Sequence, residues 1–202
     1  MPSPPDRGSL WLVVAATLSA GALLGFRLDP LVLDWQPGLV ADGPWRAITA
    51  AFVHYSALHL AANLAGAALV GALGRVARVP TRIVVAWLLA WPLTQLGLLA
   101  RPDLLHYGGL SGVLHAGAAC VAFHLIVAGH GTRRTVGMLT LAGMALKVLS
   151  ESPWGAPLRH PSGWDIATAP FAHASGLIAG LLAAVVCETV SRASRHRRGP
   201  AQ

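Results

Sequence analysis

Charge is what this sequence most lacks. Only 11% of its 202 residues are Asp, Glu, Lys or Arg, where a soluble domain carries about 25%. With 54% apolar residues and a mean hydropathy of +0.58, a water-soluble globule is excluded and an integral membrane protein is expected. Cysteine is nearly absent as well. Cys120 and Cys187 both lie inside apolar runs at different expected depths, which argues against a disulfide and against a thiol redox or zinc pattern. The histidines never form H-E-x-x-H, so a metal site built from several of them is disfavoured. No internal repeat, low-complexity segment or composition shift divides the chain, so residues 1–202 are read as one domain. Positive charge at Met1 to Gly8 is too sparse for a signal peptide, and the first apolar run has no cleavage site, so that run is read as retained.

What charge there is carries information. The chain has 15 basic and 8 acidic residues, a net +7. Such an excess invites a nucleic-acid reading, but these arginines sit in short loops and in the segment 190–202, where membrane topology accounts for them. A spanning helix needs about 20 mostly apolar residues. Six segments qualify: roughly 9–26, 56–74, 81–100, 111–129, 134–150 and 169–189. Pro92 is expected to kink the third. The connection between the first two holds Trp35 and Trp45 and is too broken to span, so it is placed at the interface, where tryptophan prefers to sit. With six spans both termini share a side. Ten of the basic residues fall on that side and five on the other, so both termini are expected in the cytoplasm, with residues 190–202 as a basic tail. The expected class is an all-α six-helix membrane bundle in the lipid bilayer.

This topology sets a depth for each polar group. Gly108-Gly109-Leu110-Ser111-Gly112 opens the fourth span at its outer end. As a Ser N-cap after a glycine turn it would need no function. Yet helix N-termini present unpaired N–H groups that stabilise developing negative charge, which suits a nucleophile. Position 113 is Val, so the motif is G-x-S-G and not the G-x-S-x-G of soluble hydrolases. His173 lies at matching depth on the sixth span. Gly176 and Gly180 follow on its face, and small residues at that spacing let two membrane helices approach closely enough for a Ser–His hydrogen bond. On the second span His59 and Asn63, the only asparagine, share a face one turn apart. They are either oxyanion donors or interhelical struts. His115, one turn below Ser111, is a rival base. No carboxylate falls in the second, fourth or sixth span at the outer depth, and Glu151 ends the fifth, so a Ser–His dyad is expected. A client-binding protein without catalysis and a transporter using His and Asn remain open, although a transport path should reach both faces.

In this order and spacing the residues resemble the rhomboid intramembrane serine proteases. Trp45-Arg46 is similar to the family's W-R. His54, His59 and Asn63 match H-x4-H-x3-N, Gly109 to Gly112 match G-x-S-G, and His173, Gly176 and Gly180 match H-x2-G-x3-G. The run Gly109 to His115, with Lys147 and Glu151, looks more like the rhombosortase subgroup. Ser175 departs from the glycine common there, but it is small. The resemblance implies a serine endopeptidase acting on membrane-anchored protein substrates near the outer face of a bacterial inner membrane, with no cofactor. In it Ser111 is the nucleophile, His173 the base, and His59 and Asn63 the oxyanion donors, with His54, Gly109, Gly112, Gly176 and Gly180 in support. The subgroup implies substrates with a C-terminal tag of Gly-Gly, a spanning helix and a basic end. The oligomeric state is left open.

Overall fold

The computed structural model describes residues 8–197, with side chains to 194. Six long helices carry the fold: α1 (Ser9–Gly25), α4 (Ala57–Ala77), α5 (Thr81–Leu96), α6 (Ser111–Ala128), α7 (Thr132–Ser150) and α8 (Pro170–Arg197). Two short ones, α2 (Pro30–Leu33) and α3 (Arg46–Thr49), lie in the long connection after α1. Among the described residues no strand forms; there are two isolated bridges, Trp35 with Tyr107 and Arg159 with Thr168. Four stretches are long and apolar enough to cross a membrane: α4, α5 with the 3-10 turn Gly97–Ala100, α6, and α8 as far as Ser194. α1 is apolar but shorter, and α7 carries Arg133, Arg134 and Lys147. The helix α8 runs on through 190–197, the first part of the segment read as a basic tail. Nothing between Thr189 and Arg197 is Pro or Gly, so no residue stops the helix.

α6 runs through the middle, with α4, α5, α7 and α8 around it, and most of its residues are buried. Lipid offers the helices no hydrophobic drive to associate, so close packing and interhelical hydrogen bonds must hold them. Two tryptophans show how. Trp11 and Trp87 stack at 4.2 Å between ring centroids. Their indole N–H groups donate to the carbonyls of Val70 (2.9 Å) and Val113 (2.8 Å), tying α1 to α4 and α5 to α6. Gly74 and Gly117 clear the space these rings fill. α5 continues through Pro92 as far as Leu96 and then tightens into the 3-10 turn. There Ser175 donates to the Thr94 carbonyl at 2.7 Å and joins α8 to α5.

The α1–α4 connection is packed on one of its two tryptophans and not on the other. Trp35 is fully buried, while Trp45 is the exposed one. The segment is built on Asp34, whose carboxylate is buried. Asp34 pairs with Arg46 (Nη1–Oδ1 3.2 Å) and with His106 (Nδ1–Oδ2 2.8 Å). Arg46 also donates to the carbonyls of Leu31 (3.0 Å) and Asp34 (2.8 Å). Removing one partner of a buried pair strands the other and costs about 3–5 kcal/mol. The Arg of W-R therefore pins the connection beneath the loop that leads into α6.

Candidate active site

Ser111 owes its position to the turn before it. Gly109 has φ +143° and its N–H donates to the Ala50 carbonyl at 2.9 Å. A Cβ there would sit 2.9 Å from Nε2 of His59, so only glycine serves both the backbone and the neighbouring ring. Tyr107 donates to the Gly109 carbonyl at 3.1 Å, and burial pushes its phenol up to about 12. The N-cap of α6 is Leu110, and Ser111 is the first helical residue. Its own N–H is thus among the four that a helix leaves unpaired.

α8 brings the second group. A Cβ on Gly176 would fall on the Gly112 carbonyl, and one on Gly180 on the Ala116 carbonyl, so α6 and α8 touch backbone to backbone. Gly112 in turn admits the Ala172 carbonyl. At this separation Oγ of Ser111 lies 3.0 Å from Nε2 of His173. The other ring nitrogen, Nδ1, lies 2.7 Å from Oε2 of Glu151. A carboxylate only accepts, so Nδ1 carries the proton and Nε2 is free to accept from the serine hydroxyl.

Glu151 departs from the expected dyad. The carboxylate comes not from the second, fourth or sixth span but from just past the end of α7, which Val148 seats against Ala119, Ala174 and Leu177. Burial pushes the Glu151 carboxyl up, but hydrogen bonds and charge from His173 and Lys147 outweigh it and leave it at about 2. Tyr107 is a residue the motifs did not mark.

The remaining histidines separate. His115 donates from Nδ1 to the Ser111 carbonyl oxygen at 2.7 Å, not to its hydroxyl, and stacks on His173 at 4.4 Å. His59 and Asn63 line one cavity with Ser111 and His173, about 810 Å³ in volume and open to the outside. His54 packs behind His59 at 4.7 Å, and burial lowers its pKa. His106 and His160 also reach the cavity wall, whereas His124 lies near the C-terminal end of α6, away from it. His196 lies outside the described side chains. Among the described residues no three of the His, Cys, Asp and Glu side chains gather into a metal site.

A serine hydroxyl within hydrogen-bond reach of an imidazole, beside a cavity lined in part by buried polar side chains, is an arrangement that suits acyl transfer. No curated protein matches the chain. The family model of the rhomboid domain matches residues 41–189, well over half of the chain. The match takes in every residue named in this site, and the chain belongs to the rhomboid family, whose members are generally intramembrane serine proteases.

Proposed function

We propose that the protein is an intramembrane serine endopeptidase that cleaves membrane-anchored proteins near the outer face of the membrane. The observation that carries this reading is the 3.0 Å contact of Ser111 Oγ with His173 Nε2 at the wall of the 810 Å³ cavity. Ser111 attacks the peptide carbonyl carbon while His173 takes the hydroxyl proton. The carbonyl oxygen becomes an oxyanion held by the N–H of Ser111 and by His59 and Asn63. Collapse breaks the C–N bond, and His173 returns the proton to the leaving amine. Water then repeats the sequence on the acyl-enzyme and frees Ser111.

The proposed topology is six spans with both termini in the cytoplasm and the site on the periplasmic side of a bacterial inner membrane, with residues 1–202 as one membrane domain. The substrates proposed are proteins ending in Gly-Gly, an apolar helix and a basic end, as in rhombosortase processing. A helical peptide bond is shielded, and glycine, the weakest helix former after proline, unwinds most readily into an attackable strand. The test is cleavage of a reporter with such a tail by the wild type and by Ser111→Ala, with fluorophosphonate labelling of both. Cleavage and labelling should vanish together in the variant. A wild type that binds the reporter but neither cuts it nor labels would leave a client-binding protein.

A further inference from the structure

The carboxylate beside His173 is unaccounted for by a two-residue mechanism. Its surroundings differ from those of an ordinary surface ion pair. Glu151 follows directly on the C-terminus of α7, where the helix dipole disfavours negative charge. Its partner Lys147 precedes it by four residues, and that order is the less stabilising one on a helix. On helix stability alone this is therefore a poor position for a glutamate. The position is nevertheless fixed from several sides. Lys147, the only lysine among 15 basic residues, binds Oε1 at 2.6 Å and leaves Oε2 for His173. Arg159 donates to the Glu151 carbonyl at 2.7 Å. The next residue, Ser152, turns the chain with φ +52°, a conformation costing about 1–2 kcal/mol in a residue with a side chain.

We infer that Glu151, oriented by Lys147, is a positioning residue for His173: its carboxylate accepts the Nδ1 proton, holds the imidazole facing Ser111 and offsets the charge the ring gains as Ser111 attacks. The inference rests on Ser111 and His173 being nucleophile and base. No proton passes to the carboxylate, since Nδ1–H stays on the ring while Nε2 gains and loses the proton of Ser111. The other groups around the ring cannot take this part. Lys147 Nζ, 3.4 Å from Nδ1, brings positive charge. His115 stacks on the ring face, His59 lies across the cavity, and Arg159 faces the backbone of Glu151.

The test uses the full chain in detergent, with Glu151→Gln, Glu151→Asp and Lys147→Met beside the wild type and Ser111→Ala. The rate of fluorophosphonate labelling at Ser111 is followed against pH. kcat and KM are measured on a fluorogenic peptide with Gly-Gly before an apolar helix, and Tm is recorded for each protein. In Glu151→Gln the side-chain amide donates to Nδ1 and selects the wrong tautomer. Such a change in a Ser–His–carboxylate set costs up to about 10⁴ in rate. Labelling and kcat should fall by about 10²–10⁴ with KM little changed. The acid limb of the profile should move to lower pH, because imidazolium loses its counter-charge. Lys147→Met should move that limb the other way, and Glu151→Asp should recover part of the rate. Glu151→Gln with wild-type labelling and an unmoved limb overturns the inference. So does a lower Tm with a normal profile in the folded fraction, which would make Glu151 a structural clamp. A wild type that does not label at Ser111 would instead remove the protease reading itself.

Discussion

The contact of α6 with α8 leaves no room for a methyl group, and this makes Gly176→Ala an informative perturbation. The added Cβ would fall on the Gly112 carbonyl oxygen, far inside the 3.4 Å at which ordinary contact begins. Neither partner is a flexible side chain, so the helices must part by about 1 Å or more, at a cost of about 1–3 kcal/mol for overpacking. His173 lies one turn above Gly176 on α8 and withdraws with it. The Ser111–His173 separation, 3.0 Å in the native chain, then exceeds the roughly 3.2 Å over which a base can take the hydroxyl proton. A misplacement of about 1 Å costs on the order of 10² in rate, so kcat should drop by about that factor, with a modest loss of Tm in detergent. Gly143→Ala on α7 is the matched control, because nothing lies within 4 Å of its Cβ. It should leave kcat unchanged and raise helix stability by about 0.5–1 kcal/mol. Gly176→Ala within threefold of the native rate would refute the claim that backbone contact sets the catalytic distance.

The other outcomes follow from the same geometry. Asn63→Ala should lower turnover by about 10²–10³ with the fold retained; a large loss of Tm with normal turnover in the folded fraction would make Asn63 a strut. His173→Ala should fall to the Ser111→Ala background and the double variant no lower, since such groups act as a unit, while His115→Ala keeps measurable cleavage; the reverse pattern would sink the assignment of the base. Glu151 has a folded pKa of about 2 against an ordinary 4.5, so its contribution to stability is complete above about 4.5 and disappears as pH falls toward 2. Tm in detergent should fall across that window, and less so in Glu151→Gln; equal slopes for the two proteins would contradict the ion pair. Topology reporters in 75–80 and 101–108 should read opposite sides, and two cytoplasmic readings would remove the depth argument.

The helices were legible because lipid imposes a length and an apolar composition on any segment that crosses it. Ser111–Ala128 and Ala57–Ala77 begin within a residue of where the pattern placed them. Ser56 caps the latter by accepting from His59 N–H at 3.1 Å. The end of α8 was not legible, since loss of hydropathy after Thr189 ends an apolar run but does not end a helix. The burial of Trp35 was hidden for a related reason. Composition assigns a tryptophan outside the spans to the interface, whereas its fate depends on Asp34 and Arg46 folding the connection over it, and no pattern of period 3.6 reports that pairing.

The site divides in the same way. Positions that follow from helix spacing were readable: Ser111 and His173 from equal depth, Gly176 and Gly180 from the small-residue repeat, His59 and Asn63 from a shared face. His115 shares that legibility yet is diverted, because a histidine four residues along a helix meets the serine carbonyl before it meets the hydroxyl. The sequence marks Glu151 only as the end of the fifth span and through the likeness to the rhombosortase subgroup; its place beside His173 was not legible, since the carboxylate of a triad is looked for on the second, fourth and sixth spans. Residues 111, 151 and 173 meet at one end of the bundle. The spacing of Lys147 and Glu151 was the available signal: an ion pair one turn apart, at the end of a neighbouring helix, in a chain this poor in charge. In such a chain each carboxylate at the depth of the nucleophile must face water, a cation or the catalytic base, and Glu151 faces two of these at once.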